Sequence, residues 1–328
     1  MEISSHLDIT GQKILLVGFW WEQNMGDELI LIGNIKLLQQ QGKQIFVVSQ
    51  HNDLLKQFIS QEVDCSNITF LDEIPRGFRS TIKYLKKNGL QQLKTFFQID
   101  TIILWGWEIL TEESPHSYYY RFRSIRPALF LRKKLYLMEG IQIPKKWWNK
   151  LLFKRLLSRA IKIFSRDFES IVCFQEYGYK NVEFFMDTSY FVKENWKKYK
   201  HKSDQQYIVV NLNSKGERFF DDLVQSCKDY LKTTNGIIYF VPVFAWKGDA
   251  DIRYFEKLKQ QLNTDRLKVL PRIENFEDFL QILWWAEKVI AARLHLFLIS
   301  SFIGLTTEVF PYQKKINKMK AVIKQLQS

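Results

Sequence analysis

Two arginines in this chain lie beside a second functional side chain at points where an apolar strand is predicted to end. Arg293 is followed two residues later by His295, and Arg166 is followed directly by Asp167. A guanidinium offers a planar fork of N–H donors that fits a carboxylate or a phosphate. An imidazole changes its charge near neutral pH and transfers protons. These residue types therefore predict the binding of an anion next to a proton donor or acceptor.

Each of these residues also has a purely structural interpretation. Asp167 is suited to cap the helix that follows it, and Arg166 to pack beside that cap. A histidine in an apolar setting is usually a core residue. For His295 the neighbouring Arg293 argues against this interpretation, because burying both side chains without an anionic partner is costly. From the residues alone, both interpretations stay open.

A third candidate is the loop near the start of the chain. It connects the apolar run 14–17 to a helix predicted over 27–41. The first N–H groups of a helix lack intrahelical partners, and they suit a phosphate or a carboxylate. Asn24 is suited to cap this helix, Gly26 permits close approach of another group, and Asp27 opens the helix. The alternative is the ordinary beginning of an α/β domain.

Two further strand ends carry candidate residues. Gly106 lies between two tryptophans, Trp105 and Trp107, which either stack on a sugar or belong to the core. Asp187 follows another apolar run, where its role is either acid–base catalysis or structure. Both positions fall at the end of a predicted strand, where open parallel sheets bind their ligands.

Taken in order, these motifs resemble the signatures of the polysaccharide pyruvyl transferase family. The resemblance spans about residues 14–316. Where the family usually shows a run of glycines, only Gly106 remains. The motifs that carry the resemblance are Asn24-x-Gly26-Asp27 before an apolar helix, Arg166-Asp167, Arg293-x-His295 and the closing Tyr312-x-x-Lys315.

The resemblance implies a GT-B-like fold and a transferase that moves a pyruvyl group from phosphoenolpyruvate to two hydroxyls of a glycan sugar, with release of phosphate. It implies neither a metal nor another cofactor. The two arginines are expected to clamp the anionic donor, the histidine to act as acid or base, and the 24–27 loop to hold phosphate or orient the acceptor. The expected site residues are His295 and Asp187 for catalysis and Asn24, Gly26, Asp27, Gly106, Arg166, Asp167 and Arg293 for substrate binding.

The order of apolar runs predicts an α/β protein. Strand-like runs alternate with helical patterns throughout, which is typical of parallel sheets covered by helices. A polar, lysine-rich stretch at 193–206 separates two such series. We therefore expect two Rossmann-like domains, over 1–195 and 206–310, facing a cleft as in GT-B folds, and a final helix over 311–328.

The positive charge of the chain is concentrated in one segment. The whole chain has a net charge of +13, and residues 121–162 contain 13 Lys or Arg and one acidic residue, Glu139, which gives +12. Within this segment, 145–157 interleaves cations with Trp and Leu, as helices on anionic lipid do. The alternative is a solvated basic helix whose apolar stripe faces the core. Nucleic acid is not expected as a partner, because no recognised binding module accompanies the charge.

The remaining composition predicts a cytoplasmic protein. Cys65, Cys173 and Cys227 form no CxxC or Cys/His cluster, which argues against a disulfide framework and a zinc site. The sequence shows neither a signal-peptide pattern nor an uncharged apolar stretch long enough to span a membrane. If 121–162 touches anionic lipid, the protein lies peripherally at the inner membrane face, where a glycan or lipid-linked sugar is a suitable acceptor.

Two other functions stay open. One is a GT-B-type glycosyltransferase that uses a nucleotide sugar, for which Asp249-x-Asp251 either holds a metal-bound nucleotide or simply starts a helix. The other is a non-catalytic glycan-assembly protein of the same family. No GxxxxGK[ST], HExxH, GxSxG or complete GxGxxG occurs, so P-loop, zinc-protease, hydrolase and dinucleotide-binding functions lack support.

Overall fold

The structure is a computed structural model of the chain. It describes residues 7–18, 24–49, 51–72, 82, 94–105, 133–138, 141, 143–192, 205–243, 251–270 and 276–327. The chain divides into two compact units. The first comprises Met1–Trp21 and Asn34–Asp187, and the second comprises Glu22–Gly33 and Thr188–Ser328.

The described strands of the first unit form one parallel sheet. They are β1 (Lys13–Val17), β2 (Gln44–Ser49), β3 (Ile68–Asp72), β4 (Thr101–Leu104), β5 (Lys134–Met138), β6 (Ala160–Ser165) and β7 (Val182–Phe184). They lie in the order β3-β2-β1-β4-β5-β6-β7. All neighbouring pairs run parallel.

The central strands of this sheet are apolar along their whole length because both faces are covered. Ile14, Ile45 and Ile103 have no exposed surface. Ile14 is paired with Ile45 on one side and with Thr101 on the other. Continuous apolar runs of this kind are the expected signature of buried parallel strands.

Four helices with described bounds lie between β1 and β7 along the chain. They are α1 (Met25–Gln40), α2 (Asn52–Ile59), α3 (Trp147–Leu157) and α4 (Phe168–Glu176). Gly42, just after α1, and Gly178, just after α4, have φ angles of 65° and 91°. Glycine adopts this left-handed conformation without a steric penalty, and it terminates the helix.

The second unit contains a five-stranded parallel sheet. Its strands are β8 (Tyr207–Val210), β9 (Ile237–Phe240), β10 (Leu267–Val269), β11 (Lys288–Ala291) and β12 (Thr307–Val309). They lie in the order β10-β9-β8-β11-β12. The helices are α5 (Phe220–Thr233), α6 (Ile252–Leu262), α7 (Phe276–Trp284), α8 (Leu294–Phe302) and α9 (Lys314–Gln327), and a 3-10 helix (Ser214–Phe219) precedes α5.

In both sheets the strand order reverses beside the first strand of the unit. This happens between β1 and β4 in one sheet and between β8 and β11 in the other. Ligands of open α/β sheets bind outside the carboxyl ends of the strands at such a reversal. Two parallel sheets with this order confirm the predicted α/β class with Rossmann-like units, while the domain limits 1–195, 206–310 and 311–328 stay a prediction. Among the described helices, none has the length and apolar character that crossing a bilayer requires.

The first half of α1 groups with the second unit because it packs closely on it. The Met25 N–H donates to the Val243 carbonyl over 3.4 Å, and the Thr188 hydroxyl donates to the Ile30 carbonyl over 3.3 Å. Gly33 lies so close to the Thr188 backbone that a Cβ at this position would be 1.9 Å from the carbonyl oxygen. The helix therefore requires glycine at this position for steric reasons.

Gly33→Ala is expected to destabilise the protein. Alanine gains about 1 kcal/mol of helix propensity, but the clash with a fixed backbone carbonyl costs about 1–3 kcal/mol or more, so the net effect is a lower unfolding midpoint. Gln40→Ala, at an exposed position of the same helix, is the matched control and should leave the midpoint unchanged in thermal unfolding. A midpoint for Gly33→Ala at or above that of wild type would contradict the close contact.

Candidate functional site

The carboxyl edge of the second sheet carries polar side chains from three neighbouring strands. Asn211 and Asn213 follow β8, Arg293 follows β11, and Asp251 starts α6 beyond the end of β9. Because the strands are parallel, their carboxyl ends meet at one edge. The topology thus brings together residues that are far apart in the sequence, at the point where the strand order reverses.

Asp251 accepts hydrogen bonds from the guanidinium of Arg293. Arg293 Nη2 donates to Asp251 Oδ1 over 2.6 Å. Arg293 Nε donates to Oδ1 over 3.2 Å and to Oδ2 over 3.3 Å. The side chain of Asp251 has no exposed surface, and that of Arg293 is 14% exposed. This charge-assisted contact fixes the plane of the guanidinium.

The second oxygen of Asp251 is held by the ends of two more strands. Asn211 Nδ2 donates to Asp251 Oδ2 over 3.0 Å and to the Val241 carbonyl over 2.8 Å. The Val243 N–H donates to Asp251 Oδ2 over 3.1 Å. One carboxylate thus connects the ends of β8, β9 and β11. A buried charge is tolerated when it is paired and hydrogen-bonded in this way.

This contact changes the interpretation of Arg293. Burial of an arginine requires an anionic partner, and the structure supplies one from within the chain. The pair uses the Nε and Nη2 donors of the guanidinium. Both oxygens of Asp251 are engaged by protein donors, which favours the helix-start interpretation of Asp249-x-Asp251 over a metal-binding one. Asp249 lies outside the described residues.

His295 lies in the first turn of α8 and packs against the start of α1. The residue is 6% exposed. Gly26 faces the imidazole so closely that a Cβ at this position would lie 1.9 Å from His295 Nδ1. Glycine alone leaves room for the ring, which gives a physical reason for the glycine of the Asn-x-Gly-Asp motif. Two of the predicted motifs are therefore in direct contact within the second unit.

The N–H groups at the start of α1 are used within the protein. Asn24 Oδ1 accepts from the Gly26 N–H over 3.3 Å, and the Asn24 carbonyl accepts from the Asp27 N–H over 3.0 Å. Asn24 Nδ2 donates to Asp27 Oδ2 over 2.8 Å. A contact of this loop with phosphate or with the acceptor stays a prediction.

The polar residues at the end of β8 were not among the predicted site residues. Asn213 Oδ1 accepts from the Gly216 N–H over 2.8 Å, and its Nδ2 donates to the Tyr312 hydroxyl over 3.0 Å. Tyr312 opens the Tyr-x-x-Lys segment, so that segment also reaches the carboxyl edge of β8. A signal was available, because Asn211 and Asn213 directly follow the apolar run 207–210.

The first unit has a comparable buried ion pair at the ends of β6 and β7. Arg166 Nη1 donates to Asp187 Oδ2 over 2.6 Å, and the two side chains are 5% and 0% exposed. Because the two strands are parallel neighbours, the residues that follow them meet at the same edge. Of the two roles left open for Asp187, this burial favours the structural one. A substrate contact by Arg166 stays a prediction.

Asp167 caps α4, as its sequence position predicts. Its Oδ1 accepts from the Ser170 N–H over 2.7 Å, and its Oδ2 accepts from the Ser170 hydroxyl over 2.8 Å. This is the usual geometry of an N-cap carboxylate. The capping interpretation is confirmed, and a substrate contact by Asp167 stays a prediction.

Burial decides between the two interpretations of Trp105. This residue has no exposed surface, so the core interpretation is confirmed for it. Gly106 and Trp107 lie outside the described residues.

Burial also affects two of the cysteine thiols. It raises the pKa of the Cys227 thiol to about 12, and it also raises the pKa of Cys65. Neither thiol is poised to act as a thiolate nucleophile at neutral pH.

Most of the chain matches a known protein family. A family model described as polysaccharide pyruvyl transferase matches residues 24–301. The match begins at Asn24 and ends within α8, so it includes Arg166, Arg293 and His295. No curated protein matches the sequence.

Solved structures are similar in fold at low sequence identity. A putative UDP-N-acetylglucosamine 2-epimerase from Listeria monocytogenes has 11% identity and a TM-score of 0.58, covering 97% of this chain and 89% of its own. The UDP-GlcNAc 2-epimerase from Neisseria meningitidis, bound to UDP-GlcNAc, has 10% identity and a TM-score of 0.58, with 96% and 92% coverage. A glycosyltransferase from Rickettsia africae ESF-5 has 12% identity and a TM-score of 0.53, with 96% and 88% coverage. These similarities confirm the predicted GT-B-like fold.

Removing one partner of the Arg293–Asp251 pair is expected to lower the free energy of unfolding by more than half as much as removing both partners does. Asp251→Ala or Arg293→Met alone leaves a buried charge uncompensated, which lowers the free energy of unfolding by about 3–5 kcal/mol. The double variant leaves neither charge, so its loss is smaller than the sum of the single losses. Chemical denaturation of the four proteins gives this coupling directly.

The exposed pair Lys257–Glu217, whose side chains are 50% and 53% exposed, is the matched control. Alanine variants of these two residues should give no measurable coupling, because solvent screens the contact. Strictly additive losses for Asp251 and Arg293 would show that the buried pair does not stabilise the strand ends.

Proposed function

The chain belongs to the polysaccharide pyruvyl transferase family and is a transferase, and we propose that it moves a pyruvyl group from phosphoenolpyruvate to two hydroxyls of a glycan sugar. The product is a pyruvate ketal on a cell-surface polysaccharide, such as a capsule or exopolysaccharide, or on its precursor. Phosphate is the leaving group. Family membership supports a sugar acceptor, and the donor is part of the proposal.

One observation carries this proposal. Arg293 is fixed by Asp251 at the reversal point of the second sheet, two residues from a histidine that packs on the Asn-x-Gly-Asp loop. Phosphoenolpyruvate is small and carries a carboxylate and a phosphate, so it needs a positioned cation and a nearby proton donor. A guanidinium and an imidazole on one strand-to-helix corner supply these two groups.

The chemistry assigns a role to each of the two side chains. Protonation of the enol carbon of the donor forms the methyl group and leaves an oxocarbenium-like centre at C2. The first sugar hydroxyl adds to C2 and loses its proton, phosphate leaves, and the second hydroxyl adds in the same way. We assign His295 as the acid or base in these proton transfers. We assign Arg293 to the donor's carboxylate or phosphate.

Asp251 supports this role by holding the guanidinium in place before the donor arrives. A cation whose position is fixed by a buried partner does not have to reorient during the reaction, which is the basis of electrostatic preorganisation. The carboxylate also lowers the net charge of the site. Binding of the donor therefore depends on the direction of the guanidinium more than on total charge.

The other predicted residues take supporting roles in the proposal. Asn24, Gly26 and Asp27 belong to the loop whose Gly26 lies against the imidazole, and we assign this loop to hold phosphate or to orient the acceptor. Arg166 and Asp187 order the strand ends of the first unit, as their buried ion pair supports. Gly106 is retained as part of the acceptor-binding surface on the strength of the family motif alone.

We also propose a place for the protein in the cell. The acceptor is a glycan or a sugar carried on a lipid, and the enzyme lies in the cytoplasm at the inner face of the membrane. The basic segment 121–162 supports this position through its charge. The first part of the segment, 121–132, lies outside the described residues.

A GT-B-type glycosyltransferase that uses a nucleotide sugar is the second candidate. The likeness to a glycosyltransferase and to UDP-GlcNAc epimerases shows a shared fold and favours no particular donor. A non-catalytic glycan-assembly protein of the same family is the third. Such a protein would keep the donor site and show no turnover.

Ligand-induced stabilisation separates the two donors. Phosphoenolpyruvate is expected to raise the unfolding temperature, by an amount that increases with its concentration, because a ligand that binds only the folded state stabilises it by mass action. A panel of nucleotide sugars, each compared with its free nucleotide, should produce no shift. Stabilisation by a nucleotide sugar and none by phosphoenolpyruvate would overturn the proposed donor and favour the glycosyltransferase.

His295→Ala should abolish turnover while donor binding is largely retained. Loss of a positioned acid or base lowers the rate by about 10²–10⁴-fold, measured as phosphate release in the presence of an acceptor glycan. His51→Ala, at an exposed position before α2, is the matched control and should retain full activity. Wild-type turnover by the His295 variant would remove the catalytic role.

A further inference from the structure

The first turns of α3 expose three large apolar side chains next to one another. Trp147 is 68% exposed, Trp148 is 44% exposed and Leu151 is 59% exposed. The two indole rings contact each other edge to face, with 5.7 Å between their centroids. Together they expose on the order of a few hundred Å² of apolar surface, a size that on soluble monomers often marks a functional contact.

These apolar side chains form the middle of a face whose borders are cationic. At 3.6 residues per turn, Trp147 and Leu151 lie one turn apart at the centre of the exposed face. Lys150 and Lys154 lie along one border, and Arg155 lies along the other, beside Trp148. All six residues are exposed, and the helix contains no acidic residue. A central apolar stripe with cationic borders is the pattern of helices that lie in a membrane interface.

The opposite face of α3 anchors the helix to the first unit. Phe153, Leu156 and Leu157 are buried. The ring of Phe153 packs against those of Phe174 and Tyr177, with centroid distances of 6.2 and 5.8 Å. The apolar stripe toward the core is therefore present, as the solvated-helix alternative requires. The exposed tryptophans and leucine are additional to it, and packing within the domain does not account for them.

The basic residues within 121–162 differ in whether their charge is paired within the protein. Lys162 is paired with Asp8 and Glu183, each over 3.1 Å, so its charge is satisfied within the protein. Lys150 and Lys154 form no ion pair with any residue that the structure describes. Their charges are available to an external anion. The large basic segment 121–162 thus contains a smaller surface in which cations and apolar groups coincide.

The topology fixes which end of α3 lies near the ligand-binding edge. The helix connects β5 to its parallel neighbour β6, so it must run back from the carboxyl edge of the sheet toward the amino edge. Its first residues, Trp147 and Trp148, consequently lie toward the carboxyl edge. The buried pair Arg166–Asp187 lies at that edge of the same sheet.

We propose that the exposed face of α3 docks on an anionic lipid bilayer, with Trp147 and Leu151 inserted between headgroups and acyl chains and Lys150, Lys154 and Arg155 over anionic headgroups. The first residues of this surface lie toward the carboxyl edge of the first sheet. Its use for a lipid-carried acceptor rests on the proposed function, whereas the docking itself does not. Charge complementarity selects this occupant, because the face is cationic and uncharged lipid would leave its borders unpaired.

Vesicle sedimentation with the full chain tests the proposal. Wild type is expected to sediment with vesicles of phosphatidylcholine mixed with phosphatidylglycerol. With vesicles of phosphatidylcholine alone it is expected to stay in the supernatant. Lys150→Gln/Lys154→Gln should weaken binding by about 30-fold at low salt, since each surface cation contributes about 1 kcal/mol. Salt should reduce binding of the wild type.

A second pair of variants separates insertion from charge alone. Trp147→Ser/Leu151→Ser keeps every cation and should still lose more than tenfold in affinity for anionic vesicles, because the inserted apolar area is gone. Val172→Ser, at a 50% exposed position of α4, is the matched control and should bind as wild type. The replaced side chains are exposed, so circular dichroism and the unfolding midpoint should stay unchanged in all variants.

Three results would overturn the docking. They are equal binding to neutral and anionic vesicles, unchanged binding by Trp147→Ser/Leu151→Ser, and a concentration-dependent dimer that this double variant dissolves without any vesicle binding. The last result would make the face a contact between two copies of the chain. Stabilisation by phosphoenolpyruvate, measured on the same variants, is expected to persist and reports separately on the proposed donor.

Discussion

The carboxylate of Asp251 is the contact on which the second unit's edge depends. It is fully buried, and it is stabilised by a guanidinium from the end of β11, an amide from the end of β8 and an N–H beyond the end of β9. An isolated buried carboxylate is very costly, so these donors have to be in place whenever the unit is folded. The position of Arg293 is therefore set by the fold itself, before any ligand binds. His295, two residues along, is held in turn by the close approach of Gly26.

The first unit uses the same physical solution at its own carboxyl edge. Arg166 and Asp187 follow neighbouring parallel strands and form a buried ion pair. In both units the arginine lies within two residues of the end of a strand, and its carboxylate partner comes from elsewhere in the sequence. These pairs orient the arginines and partly neutralise them. Buried pairs of this kind add less to stability than their Coulomb energy suggests, because desolvation opposes it. Their effect in this protein is to fix the direction of the guanidinium donors.

Much of the fold follows from the sequence because buried parallel strands are apolar along their whole length. The strand-like runs at 14–17, 102–104 and 207–211 in the sequence correspond to β1, β4 and β8 to within one residue at each end. The strand Ile68–Asp72 was missed, since it is short and two of its five residues, Thr69 and Asp72, are polar. The partners of the arginines were also missed. Arg293 meets Asp251 and Arg166 meets Asp187 only because distant strand ends share one edge, and this depends on strand order. No local pattern around residue 251 distinguishes a partner for an arginine from an ordinary helix start.

The central claim is that the guanidinium of Arg293, oriented by Asp251, binds the anionic donor. Calorimetric titration of phosphoenolpyruvate into wild type and into Arg293→Lys tests it most directly. Lysine keeps the positive charge but has no planar fork of donors. Its ammonium group can pair with Asp251, but it cannot at the same time direct further donors at the ligand. We expect the variant to stay folded, as its unfolding midpoint will show, and to lose most of its affinity for phosphoenolpyruvate. An affinity equal to that of wild type would contradict the account.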